Sequence, residues 1–159
     1  MAQPARSSKA LPCTVRHADP GSGSTYSERP DCAFVLECTG ANEVPMKKDL
    51  SPSTRLGAGP AITVMDGSFI ADRRLVDLLA GTASRLGIPH QFKQPNIGGT
   101  DAGAIQHARE GIPSVTLAVP CRYIHSPAGI LNLDDFDHTL GLMRESLQRL
   151  PEAFERSAT

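Results

Sequence analysis

The sequence predicts an α/β domain with a mixed, largely parallel central sheet flanked by helices. Three observations carry the prediction. Short apolar or β-branched runs, at Ala33–Leu36, Ala61–Met65 and Ser114–Val119, have the look of buried strands. Between and after them, apolar residues recur at helical spacing, so strands alternate with helices. Apolar residues make up 40% of 159, enough for one core, and a chain of this length is one domain that buries about two-thirds of its unfolded surface.

Residues 1–30 are dominated by Ser, Pro, Gly and scattered charge without periodicity, and are expected to form a disordered or non-homologous N-terminal segment. The domain is expected over residues 31–151, starting with a short strand, Ala33–Leu36, that ends at Glu37. Gly40–Pro60, with Pro45, Pro52, Gly57 and Gly59, reads as a long loop. Ala61–Met65 is the second strand, closed by Asp66 and Gly67. Leu75, Val76, Leu78, Leu79, Ala83 and Leu86 mark a helix that Gly87 stops. A third short strand falls around His90–Gln94. Gly98 and Gly99 precede a helix from about Ala102 to Glu110, with Thr100 or Asp101 as N-cap and Gly111 as stop. Ser114–Val119 is the fourth strand and Pro120–Leu131 a loop. The last helix starts near Asp134 with acids in its first turn. Its apolar stripe is Phe136, Leu140, Met143, Leu147 and Leu150, Pro151 ends it, and residues 152–159 form a tail.

Composition excludes several function classes. Sixteen Lys and Arg against 17 Asp and Glu leave a net charge of −1, which gives no bulk electrostatic drive toward nucleic acid or a membrane surface. Five Phe, two Tyr and no Trp provide little for base-stacking platforms or carbohydrate clefts. No apolar run approaches the roughly 18–20 residues that span a bilayer, and no signal-like apolar core opens the chain, so a cytoplasmic location is expected. Cys32 and Cys38 share one expected strand and would stand about 20 Å apart, beyond disulfide reach. They and Cys121 read as thiols acting as small hydrophobes, and Cys13 and His17 as incidental.

Few residues suggest chemistry on their own. Glu37 abuts a buried run, where an acid is costly unless paired, hydrogen-bonded or metal-bound; spacing alone favours a strand-end acid in water. His125 shares a loop with Arg122 and Tyr123 and has the ligand type that zinc prefers, although a loop histidine is usually a surface residue. Gly98–Gly103 could present backbone amides to a carboxylate or carbonyl oxygen, or be a tight turn with an N-cap. Asp66 suits a turn or a cap, while His90, His107 and His138 read as structural or exposed. No Gly-x-Ser-x-Gly elbow supports serine-hydrolase chemistry.

Four segments are more specific together. Asp31–Pro45, Arg55–Asp66, Gly98–Ile105 and Val119–Pro127, followed by Leu133–Phe136, resemble metallopeptidase family forty-two, in order, over about residues 29 to 150. That family includes glutamyl, deblocking and tetrahedral aminopeptidases, and its members often carry a cellulase or endoglucanase label. The resemblance implies a partial zinc-aminopeptidase catalytic domain, a peptide substrate, and a pair of divalent metal ions, zinc or cobalt, bridged by water or hydroxide. It implies that Glu37 is the acidic ligand of one metal and His125 the histidine ligand of the other. Gly99, Thr100, Asp101 and Arg122 match loops on the substrate side. The family's first histidine ligand, bridging aspartate and adjacent glutamate pair, which includes the general base, have no counterpart in residues 1–30, so no residue of this chain is given the catalytic base role. Three expectations follow: a truncated remnant with little activity alone, a split enzyme completed by a complementary chain, or a non-catalytic module that docks on full-length relatives or forms a homo-oligomer. The cellulase label finds neither a carboxylate pair flanking a sugar nor an aromatic platform to support it.

Overall fold

The computed structural model describes residues 30–41, 54–93 and 98–155. The N-terminal segment 1–29, with Cys13 and His17, and residues 42–53 of the expected long loop lie outside the described residues.

The described chain runs β1 (Ala33–Gly40), β2 (Ala61–Thr63), α1 (Arg73–Leu86), β3 (Gln91–Lys93), α2 (Asp101–Gln106), β4 (Ser114–Arg122), β5 (Ile130–Leu131), α3 (Leu133–Gln148) and α4 (Leu150–Glu155). One sheet has the order β1-β4-β2-β3, with β5 pairing to the end of β4. It is mixed. β1 lies parallel to β4 over eight residue pairs, from Ala33 opposite Ser114 to Gly40 opposite Cys121. β2 and β3 are parallel to each other, but β2 is antiparallel to β4. Its four main strands therefore form two parallel pairs running in opposite directions, and β5 is antiparallel to β4.

Each helix follows from its local chemistry. Asp72 caps α1 by accepting from the Arg74 amide, and Gly87 closes it in the left-handed region at φ 66°, where a side chain would be strained. Leu75, Leu79 and Ala83 on its inner face pack into the same core as Ile62, Leu117 and Leu142. Asn132 caps α3 by accepting from the amides of Asp134 and Asp135. Arg149, after α3, donates from Nη1 to Thr82 Oγ1 on α1 at 2.9 Å, tying the two helices.

Several expected boundaries move. β1 runs on to Gly40, so Glu37 is inside the strand and not at its end. β2 stops at Thr63, and Met65 instead bridges back to Ile70. α2 ends at Gln106, short of Glu110, because Arg109 takes a left-handed φ of 54° and breaks the helical path. β4 continues past Val119 to Arg122, since the 130–131 segment returns as β5 and pairs with Cys121 and Arg122; the expected loop is a hairpin. α3 ends at Gln148, and Pro151 sits in the first turn of α4, a position where its missing N–H is not needed. Phe136 and Leu140, expected on the packed stripe of α3, are exposed, and the inward face is Asp135, Thr139, Leu142, Met143 and Ser146. Cys32, just before β1, and Cys38, within it, form no disulfide.

Candidate functional site

The strand pairings set rows of side chains on one face of the sheet. Side chains alternate along a strand, so Val35, Glu37 and Thr39 share a face. Glu37 is level with Ala118 of β4, which is level with Ala61 of β2. The two alanines beside the carboxylate are fully buried. The neighbouring row is Val35, Thr116, Thr63 and Lys93, one residue from each strand.

A loop and the start of α2 cover this face. Thr100 Oγ1 lies 3.1 Å from Thr116 Oγ1, fixing the segment before α2 over the second row. Ser68 joins the two covering segments: the Thr100 amide donates to its Oγ at 3.2 Å, and the Gly67 amide donates to the Gly98 carbonyl at 2.7 Å. Close approach explains Gly103. A Cβ there would lie 2.6 Å from both Cβ and Oγ of Ser68. Asp66, buried, organises the turn: its Oδ1 accepts from the Ser68 amide at 2.7 Å, the Ser68 hydroxyl and the Phe69 amide, while its Oδ2 has no hydrogen-bond partner among the described residues. The turn role read for Asp66 in the sequence is what Oδ1 performs.

Glu37 is half-buried in its row. Burial pushes its carboxyl up to about 7; the Lys93 ammonium works against that shift, and the Asp101 and Asp66 carboxylates reinforce it. Asp101, named from the sequence on the substrate side, is thus brought to Glu37, with Gly99 and Thr100 immediately before it. Lys93 and Asp66 complete the group. Sequence reading did not place them there, although the period-two alternation of Gln91–Lys93 points Lys93 to the same face once β3 is set beside β2.

His125 and Arg122 belong to a different segment. Arg122 is the last residue of β4 and opposes Ile130. His125 is exposed in the hairpin loop that follows. Its φ is 64° and that of Tyr123 is 59°, conformations that cost a non-glycine residue about 1–3 kcal/mol each and persist only when the surroundings enforce them. Ser126 supplies part of that restraint: its amide and hydroxyl both donate to the Tyr123 carbonyl, at 3.2 and 2.6 Å. Among the described residues, no three His, Cys, Asp or Glu side chains converge as a ready metal cluster. Glu37 and His125 have donor types that suit zinc or cobalt, but two ligands fall short of the three or four that hold a zinc ion.

This fold has known counterparts. Residues 20–142 match the family described as M42 glutamyl aminopeptidase, and the chain belongs to that family. It is 36% identical to the glutamyl aminopeptidase of Lactococcus lactis over 71% of this chain and 30% of that protein. It is 30% identical to the lysyl aminopeptidase of Pyrococcus furiosus over 80% of this chain and 36% of that protein. Among solved structures it is similar to the TET aminopeptidase of a marine sediment thaumarchaeon, with a TM-score of 0.77 and 38% identity, covering 83% of this chain and 37% of that one. The chain thus spans about a third of the length of the proteins it matches. Among the described residues, no helix is long and apolar enough to cross a membrane.

Proposed function

We propose that this chain contributes one part of a dinuclear metal site for aminopeptidase chemistry, with Glu37 and His125 each ligating one divalent ion. The observation that carries the reading is the half-burial of Glu37, with Lys93, Asp101 and Asp66 in electrostatic range, since a carboxylate drawn out of water is costly unless it is paired, hydrogen-bonded or joined by a cation. Zinc or cobalt bound there would polarise the scissile carbonyl and activate water. In this reading Gly99, Thr100, Asp101 and Arg122 hold the peptide in place. No described residue is assigned the transfer of a proton, so the chain by itself would show little turnover.

Calorimetric titration with zinc(II) tests the ligand assignment. Glu37→Ala and His125→Ala should each weaken uptake by at least roughly tenfold, the scale at which a lost ligand shell contact is felt. Unchanged affinity in both variants overturns the assignment, and efficient release of N-terminal residues from peptides by the chain alone overturns the low-turnover clause.

A second reading has its own support: completion of the site by a complementary chain. β1 forms one edge of the sheet among the described residues. Leu36 on it is exposed, as are Leu133, Phe136 and Leu140 along one side of α3. Sheet edges and apolar stripes of this kind favour association. Size-exclusion chromatography of this chain mixed with the amino-terminal portion of a homologue should give a complex; two separate peaks count against it.

A further inference from the structure

Cys38 and Cys121 lie on the face of the sheet opposite to Glu37, because side chains alternate along β1 and β4. Cys38 is exposed, Cys121 is 7% exposed, and neither is in a disulfide. In the register of the two strands Cys38 is level with Val119, and Cys121 with Gly40. The two cysteines are therefore diagonal neighbours, one strand across and two residues along. Their side chains nevertheless meet in a hydrogen bond. The Cys121 thiol donates to the Arg122 carbonyl at 3.3 Å, so its sulfur is left to accept from the Cys38 thiol. Glycines flank the pair. Gly40, level with Cys121, has no side chain, and among the described residues a Cβ there would meet only Ile124 Cγ2, at 3.8 Å. A Cβ on Gly129 would lie 2.9 Å from Cys121 Sγ. Two thiols thus converge beside a position that carries no side chain, and the aminopeptidase reading uses neither.

Magnitudes decide what such a pair can hold. Strands about 4.8 Å apart and a two-residue step of about 6.6 Å put diagonal Cα atoms about 8 Å apart. A disulfide needs Cα atoms within about 7 Å and Cβ atoms about 3.8 Å apart, so this pair does not close one without movement of the strands. A cation held at about 2.3 Å from each of two thiolates instead leaves the sulfurs up to about 4.6 Å apart, which suits thiols already in hydrogen-bond reach. Two ligands leave zinc short of the three or four it requires. Thiolates select soft cations, and cuprous copper is satisfied by a linear site between two of them. We propose that Cys38 and Cys121 form a two-thiolate site for a soft cation, Cu(I), separate from the Glu37 face. Binding replaces each S–H bond by an S–Cu bond: Cu(I) enters, two protons leave to solvent, and no electron is transferred. The Cys121 hydrogen bond to the Arg122 carbonyl is given up, so the change is felt where β4 passes into the hairpin that carries His125.

Anaerobic transfer of Cu(I) from its bicinchoninate complex, followed by loss of that complex's visible absorbance, tests this. The full chain carrying Cys13→Ser is the reference, since Cys13 lies outside the described residues. It should take up one Cu(I) per chain with no change in its elution volume on size exclusion. In that background Cys38→Ser and Cys121→Ser should each weaken uptake by at least roughly a hundredfold, the upper end of what even a supporting contact to a metal site costs. Thermal unfolding checks that both variants are folded, and Cys38→Ser, at an exposed position, decides the matter if Cys121→Ser is not. Excess zinc(II) and Glu37→Ala should both leave Cu(I) uptake unchanged, which separates this site from the aminopeptidase reading. No uptake by the reference chain, uptake that survives in Cys38→Ser, Cu(I) that joins two chains, or displacement by zinc(II) overturns the proposal. So does a Cys38–Cys121 disulfide found by peptide mass mapping after equilibration with glutathione disulfide, because the sulfurs would then close to bonding distance.

Discussion

Replacing Asp135 should be among the most damaging single changes on the surface-distal side of α3. The residue is 1% exposed, and its two carboxylate oxygens accept from the backbone amides of Gly57 at 2.7 Å and Gly59 at 2.8 Å. Those glycines lead through Pro60 into β2, and β2 with the turn after it delivers Thr63 and Asp66 to the candidate site. A hydrogen bond to a charged group contributes about 1.5–3 kcal/mol net, and a buried donor left unmatched costs about 1–3 kcal/mol. In Asp135→Ala both bonds are lost; the Gly59 amide is stranded in the interior while that of Gly57 reaches water, which gives a destabilisation of about 3–5 kcal/mol. In Asp135→Asn the amide oxygen can still accept from one glycine, but its NH2 faces the other N–H, so about 1.5–3 kcal/mol is expected. Urea denaturation followed by circular dichroism measures both, and for a domain of this size each kcal/mol lowers the midpoint temperature by about 2–4 °C. Amide exchange at Gly57 and Gly59 should accelerate in step. A loss below about 1 kcal/mol in Asp135→Ala, or an Asn variant as unstable as the Ala variant, would refute the claim that the carboxylate clamps this loop.

The other expectations concern α2 and α1. Gly103→Ala places a methyl group 2.6 Å from the Ser68 side chain and should cost about 1–3 kcal/mol while displacing Thr100 and Asp101; unaltered stability and unaltered chemical shifts at those residues would contradict the packing. Asp72 is held below the ordinary aspartate range chiefly by its hydrogen bonds to the Arg74 side chain. Its stabilising contribution is therefore fully present above the unfolded aspartate pKa and disappears as pH falls through the lower folded value. Because the Arg74 partner is partly exposed, roughly 0.5–1 kcal/mol should separate wild type from Asp72→Asn at neutral pH. That gap should close below the aspartate range; a gap constant with pH in denaturation curves would remove the ion pair as its cause.

The sequence made the alternation of strands and helices legible because apolar periodicity reports burial directly. Leu75, Leu79 and Ala83 recur every four residues, and Gly87 ends their helix as its αL cap requires. Strand ends were less legible. Where β1 and β4 stop depends on pairing: Thr39 and Gly40 stay in the ladder because Pro120 and Cys121 lie opposite, and that partnership is not encoded within either segment. The same applies to α3. Phe136 and Leu140 have the spacing of a core stripe, but the loop at Gly57 and Gly59 claims Asp135 and turns the polar side of the helix inward. At the site, Asp101 could be named from its motif, whereas Lys93 could not, because its meaning depends on a row of four residues drawn from four strands.

The reversal within the sheet explains where the charged groups meet. In a uniformly parallel sheet the loops after the strands gather at one end, and ligands bind there. Here β2 and β3 run against β1 and β4. The chain leaving β2 at Thr63 and the chain entering α2 after β3 therefore emerge at the opposite end from the hairpin that carries His125. They reach Glu37 by folding back across the sheet face, and the bonds Thr100–Thr116, Thr100–Ser68 and Gly67–Gly98 fasten that return. Glu37 sits in mid-strand, level with the small, fully buried side chains of Ala118 and Ala61. A larger residue at either alanine would overpack a fully buried position in the row that carries Glu37.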